Sequence, residues 1–218
     1  DVRGAGALAL LSGMMSDRDA AVRRGAVRAL SRRGEGEALS ALLAGLDDSD
    51  PDVREETIRS LSRFSASEGR RQGLASAGDV LKRLKQLTEQ GSATEQLLAA
   101  STLLNLGDSE QVEKLRSFEK SGDVEVRKLL VEQARGDPGV LVRALSDESG
   151  VVRFAAARRL AEQGDRRGEA VLRDVRDKGG ADALVAYGLL RKLGLADDGS
   201  KPPAALAPDV AADLDTRL

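Results

Sequence analysis

Ser149-Gly150-Val151-Val152-Arg153-Phe154-Ala155-Ala156-Ala157-Arg158-Arg159-Leu160, followed by Gly164, decides the fold. Val152, Ala156 and Leu160 recur every four residues and therefore share one face of a 3.6-residue helix. Ser149 stands three residues before Val152, where a hydroxyl can accept from the free N–H groups of a helix start. Gly164 permits the left-handed turn that ends a helix. The segment reads as one amphipathic helix with both ends encoded.

The same pattern returns along the chain. Aligned on the first apolar position, six copies begin at Val22, Val53, Glu95, Val126, Val152 and Asp182, with Glu95 and Asp182 as degenerate versions. The separations are 31, 42, 31, 26 and 30 residues. Such a period marks stacked repeats, because each unit is too small to bury its apolar face alone. Three residues before each anchor stand the capping residues Asp19, Asp50, Ser92, Asp123, Ser149 and Gly179, and Pro51 occupies a first helical position. Four residues after each anchor come Ala26, Thr57, Ala99, Leu130, Ala156 and Ala186, and four further on Leu30, Leu61, Leu103, Ala134, Leu160 and Leu190. Gly34, Gly107, Gly164 and Gly194 then close the helix. Ser65 and an early Gly136 break the pattern, so irregular corners are expected at both.

A second helix precedes each anchor, seen best in Leu39, Leu42, Leu43 and Leu46. Its counterpart at Leu8, Leu11, Ser12 and Met15 implies that the chain opens in the second helix of a repeat. The expected fold is all-α: a right-handed α-solenoid of about six stacked helical hairpins. The array is expected over residues 1–195, with residues 196–218 a Pro-, Ala- and Asp-rich linker or tail in which Val210, Leu214 and Leu218 suit a short helix. About eleven extra residues, from near Ser65 to Gly78, form an insertion at one edge of the array.

The runs Asp52-Val53-Arg54 with Leu61, and Val151 to Leu160 with Gly164-Asp165, resemble HEAT repeats of the short bacterial type also found in phycobilisome lyases. The resemblance spans roughly residues 4 to 195. It implies an arginine ladder between repeats, carried by Arg23, Arg54, Arg127 and Arg153 and interrupted at Gln96 and Ala183.

Composition narrows the chemistry. The chain has no cysteine and no histidine. That excludes disulfides, thiolate nucleophiles, His general bases, Ser-His-Asp triads and every Cys- or His-ligated metal site. No catalytic residue, metal site or cofactor is assigned, and the chain is expected not to be an enzyme. With 34 basic and 36 acidic residues, no global field favours nucleic acid. No apolar run approaches the roughly 20 residues of a membrane span, and the expected compartment is cytoplasmic.

Three local motifs have bland readings. Gly4-Ala5-Gly6-Ala7-Leu8-Ala9 matches a dinucleotide fingerprint without a preceding strand, and suits a small-residue helix start. Asp47-Asp48-Ser49-Asp50-Pro51-Asp52 resembles a cation loop but lacks its glycine and terminal Glu, and suits helix capping. Arg23, Arg24, Arg28, Arg32 and Arg33 make a basic helix that suits a solvated outer face.

Superposing the second helices gives the candidate binding residues. In the family's geometry these helices line the concave side, so Arg83, Gln86, Lys114, Ser117, Arg143 and Arg173 should face the groove. One cation per repeat would suit a protein partner with an acidic or phosphorylated segment. Glu110, Glu113 and Glu169 on the same helices oppose that reading. The expected function is a non-catalytic protein-interaction scaffold, with nucleic-acid binding or an accessory bilin-lyase-like role as alternatives.

Overall fold

The computed structural model describes residues 2–33, 42–64, 78–134 and 137–195. Among these residues every regular element is helical: α1 Val2–Met14, α2 Ala20–Arg33, α3 Pro51–Phe64, α4 Gly78–Gln90, α5 Ala93–Asn105, α6 Gln111–Ser117, α7 Val124–Gln133, α8 Pro138–Ala144, α9 Gly150–Glu162, α10 Glu169–Lys178 and α11 Ala181–Lys192. None is long and apolar enough to cross a membrane. The corners at Ser65 and Gly136, the insertion and the tail after Leu195 lie outside the described residues.

Helix–helix contacts gather into two compact units, residues 1–118 and 119–218. In the first, α2 packs on α3 and α3 on α5, while α1 pairs with α2, α4 with α5, and α5 with α6. In the second, α7 packs on α9 and α9 on α11, while α8 pairs with α9 and α10 with both α9 and α11. First helices thus stack on first helices, and each second helix fills the layer beside them. This is the arrangement of a repeat array.

The repeat positions explain the stacking. Ala26, Thr57, Ala99, Ala156 and Ala186 are completely buried, as are Leu30, Leu61, Leu160 and Leu190. A small side chain at the helix centre lets backbones approach, and the leucine one turn later fills the space. In the second unit Ala157, Ala161, Leu172, Ala186, Leu190 and Leu193 form one core, with Phe154 and Val175 at its edge. Gly107, Gly164 and Gly194 adopt φ of +104°, +79° and +68°. The N–H groups of Asp108, Asp165 and Leu195 return to the carbonyls of Leu103, Leu160 and Leu190. This closing bond satisfies carbonyls that a helix end leaves bare.

Two details differ from the repeat alignment. Gly179 ends α10 and Gly180 starts α11, both with positive φ. The anchor of the last copy therefore moves one residue, to the buried Ala183, and Asp182 is exposed. Gly4-Ala5-Gly6-Ala7-Leu8-Ala9 lies within α1, where no phosphate-binding turn exists.

Gly168, at the start of α10, packs directly on the backbone of α9: a Cβ there would meet Ala157 Cα at 2.7 Å and its carbonyl oxygen at 3.1 Å. Gly168→Ala is expected to destabilise the chain by about 1–3 kcal/mol, because backbone must move. Gly188, inside α11 with nothing within 4 Å of an added Cβ, behaves oppositely. Gly188→Ala should stabilise by up to about 1 kcal/mol. Thermal melts of the two variants against the parent check both signs.

Candidate functional site

One interaction recurs in the loops that start the first helices. Arg23 donates Nη1 to the carbonyls of Asp17 and Arg18 at 2.9 and 3.2 Å, and Nε and Nη2 to the Asp48 carboxylate at 2.7 and 2.8 Å. Arg54 donates Nη1 to the carbonyls of Asp48 and Ser49 and Nε to Glu95 Oε1 at 2.6 Å. Arg127 donates Nη1 to the Ser121 carbonyl and its other edge to Asp147, with Glu148 also in reach at 3.0 Å. Arg153 repeats the carbonyl half, to Asp147 and Glu148 at 2.7 and 2.9 Å. Each arginine thus closes the loop before its own helix. In Arg23, Arg54 and Arg127 the planar guanidinium also reaches an acid on the next hairpin, a geometry that lysine could not reproduce.

The expected break at Gln96 is only partial, whereas the buried Ala183 has no side-chain donor to offer. Gln96, in place of arginine, donates its amide to the Gly91 carbonyl at 2.9 Å and so keeps the carbonyl half. Glu95 is not merely a degenerate apolar anchor. It is buried, accepts from the Ser92 N–H at 2.8 Å, and Ser92 Oγ accepts from the Glu95 N–H at 3.2 Å. The Ser92-Ala93-Thr94-Glu95 spacing is a capping box. Burial pushes the Glu95 carboxyl up, but the Ser92 bonds and the Arg54 guanidinium outweigh it and hold the pKa below its ordinary value. Asp48 and Asp147 are likewise held low, chiefly by their hydrogen bonds from Arg23 and Arg127.

The six sequence-selected binding residues lie on second helices: Arg83 and Gln86 on α4, Lys114 and Ser117 on α6, Arg143 on α8 and Arg173 on α10. Gln86, Ser117 and Arg143 are exposed; Arg83, Lys114 and Arg173 are half-buried. Val140, placed beside Arg143 by the same superposition, is core instead.

Each cation in the row has an acid. In the first unit Arg83 Nε lies 2.7 Å from Asp47 Oδ1, and Lys114 Nζ lies 3.7 Å from Glu89 Oε1. Arg83 also donates to Gln86 Oε1 at 3.3 Å. In the second unit Arg143 grips both oxygens of Glu119 at 2.9 and 2.7 Å, and Arg173 donates to Glu169 at 2.8 Å and to the Leu195 carbonyl at 3.0 Å. Of the three acids expected to oppose the cations, Glu169 does so, whereas Glu113 pairs with Arg116. Asp47 and Glu89 were the missed signal: each stands near the end of one hairpin and meets the cation of the following hairpin.

Beside Arg143 a recess of about 360 Å³ opens, with Leu130, Val131 and Val140 along its apolar wall and Glu119, Arg143 and Asp147 among its polar lining. It can take a small apolar side chain with a polar end. Asp48 and Asp50 are occupied by Arg23 and by the N–H groups of Asp50, Asp52 and Val53. Asp48 and Asp50 therefore serve loop closure and capping, while Asp47 pairs with Arg83 and Asp52 with Arg24.

Comparison with known proteins agrees with the helical-repeat reading. Residues 7–84 match the family model of HEAT repeats, without distinguishing the short bacterial type. Among curated proteins none matches. The chain is similar to an engineered protein at 19% identity, with 88% of this chain and 99% of that chain covered and a TM-score of 0.46. It is also similar to a designed armadillo repeat protein in complex with the peptide (KR)4, at 20% identity, with 85% and 99% covered and a TM-score of 0.47.

The loop clamps give a pH signature. A carboxylate held low in the folded state contributes stability above its unfolded pKa of about 4, and that contribution is lost as pH falls through the folded value. Wild-type melting temperature is expected to fall more steeply between about pH 5 and pH 1 than that of the Asp48→Asn/Asp147→Asn variant. Parallel curves from calorimetry at stepped pH would show that these pairs do not hold the loops.

Proposed function

We propose that this chain is a protein-interaction scaffold with no chemistry of its own, binding a protein partner on second-helix residues: Arg83, Gln86, Lys114 and Ser117 in the first unit, Arg143 and Arg173 in the second. The observation that supports it most is the bracing of these side chains. Arg83 and Lys114 each reach an acid of the preceding hairpin, and Arg143 is held by both oxygens of Glu119. Long charged side chains ordinarily lose much rotamer freedom when a partner fixes them, and a row already fixed loses less.

The same pairing refines the partner. An acidic or phosphorylated segment would compete with Asp47, Glu89 and Glu119 for the cations, so the best occupant carries charge of both signs and an apolar residue for the recess beside Arg143. Exposed ion pairs contribute little stability, about 0–1 kcal/mol each. They can therefore be exchanged for partner contacts at small cost.

Selection from a random peptide library tests this reading. Peptides retained by the parent are expected to lose at least about tenfold in affinity, or about 1.4 kcal/mol, with the Arg83→Glu/Arg143→Glu variant. The variant should melt close to the parent, since both residues are partly exposed. Unchanged retention would remove the row from consideration.

A further inference from the structure

The first helices of the first unit carry a different charge arrangement, on residues that the row above does not use. Arg28 and Arg32 on α2 stand four residues apart, as do Arg59 and Arg63 on α3. With Ser31 and Glu56 they line a cleft of about 520 Å³. Spacing of i and i+4 places two like charges on one helix face, which opposes helix formation. Here two such pairs face the same space.

Among the described residues the acids do not balance them. Glu56 is nearly buried and bridges Arg28 at 3.0 Å and Arg63 at 2.9 Å. Arg63 Nη2 also donates to Ser60 Oγ at 3.1 Å. Arg59 approaches only Glu55, at 3.9 Å, and Arg32 has no ion pair among the described residues. One turn nearer the helix starts, Arg24 and Asp52 pair at 3.0 Å. Positive charge therefore accumulates toward the last turns of α2 and α3. Helix C-termini favour cations, but each supplies only about half a negative charge. Four guanidinium groups around a single buried carboxylate exceed that. The second-helix row, by contrast, matches each cation to one acid.

We propose that this cleft binds a phosphate dianion, presented by a phosphorylated serine or threonine of a protein partner. A phosphomonoester brings about −1.5 to −2 charge and three acceptor oxygens. Guanidinium forks meet such oxygens two at a time. Glu56 holds Arg28 and Arg63 in place while leaving most of their donors unused, since each guanidinium has five. Asp52, paired with Arg24, and Glu55, which approaches Arg59, lie outside the cleft lining and limit the spread of the positive field along the helices. A nucleic-acid strand presents a charge every few ångströms along its length and needs a continuous basic track, which these acids interrupt. The inference does not rest on the second-helix reading, and the two sites are mutated separately.

Arginine side-chain N–H resonances of the full chain, titrated with inorganic phosphate at constant ionic strength, read the site directly. Saturable shifts are expected for Arg32, Arg59 and Arg63 but not for Arg83. A serine-centred peptide of mixed flanking sequence should bind at least tenfold tighter when phosphorylated. Arg32→Gln/Arg59→Gln should abolish that difference, and Arg83→Gln should preserve it. The cleft variant should also melt at or above the parent temperature, because it relieves like-charge repulsion; a lower melting temperature would make these arginines structural and overturn the proposal. Equal responses to phosphate and chloride, or an unchanged phosphopeptide preference in the cleft variant, would overturn it as well. So would single-stranded RNA displacing the phosphopeptide at lower concentration, which would mark a nucleic-acid surface.

Discussion

Small side chains at the centres of the first helices set the distance on which everything else depends. Ala26, Thr57, Ala99, Ala156 and Ala186 are fully buried where one first helix meets the next. Aromatic residues are only 2% of the chain, so rings such as Phe118 and Phe154 fill few of the gaps between helices. Packing of this kind works only if backbones approach closely and leucines interdigitate around the contact. The second-helix layer obeys the same constraint, with Gly45 against Thr57 and Gly168 against Ala157. A hairpin contributes one side of such a contact, so its stability is shared with its neighbours.

Close stacking also fixes where loops fall, and there the arginine clamps act. Arg23, Arg54 and Arg127 bind carbonyls five or six residues upstream with one edge and an acid of the next hairpin with the other. Loop carbonyls that no helix satisfies are thereby hydrogen-bonded, which matters because unpaired backbone groups are costly when partly buried. The clamp needs both features at once: a capped helix start to place the arginine, and a neighbour at the right height to supply the acid.

Charge is distributed by the same geometry. Along the second helices cations meet acids one for one, giving a braced and nearly neutral row. Among the described residues that line the cleft between α2 and α3, arginines outnumber acids and a localised positive cleft results. The net charge of −2 for the whole chain conceals both patterns.

Helix starts, helix ends and the buried face were legible in the residues themselves, because caps, closing glycines and the 3.6-residue period are local properties. Ser92 and Glu95 show the limit of reading one position at a time: as an apolar anchor Glu95 looks eroded, whereas as a capping-box partner it is well chosen. The second-helix cations were equally visible, but their neutralisation was not. The pairs Arg23–Asp48, Arg54–Glu95 and Arg127–Asp147 join residues 25, 41 and 20 apart, and only stacked hairpins bring them within hydrogen-bond distance. For the same reason the basic helix around Arg28 read as an ordinary solvated face until α3 placed Arg59 and Arg63 opposite it. Helical periodicity belongs to one segment and can be read from it, while the balance of charge on a surface depends on which segments become neighbours, and tertiary packing alone decides that.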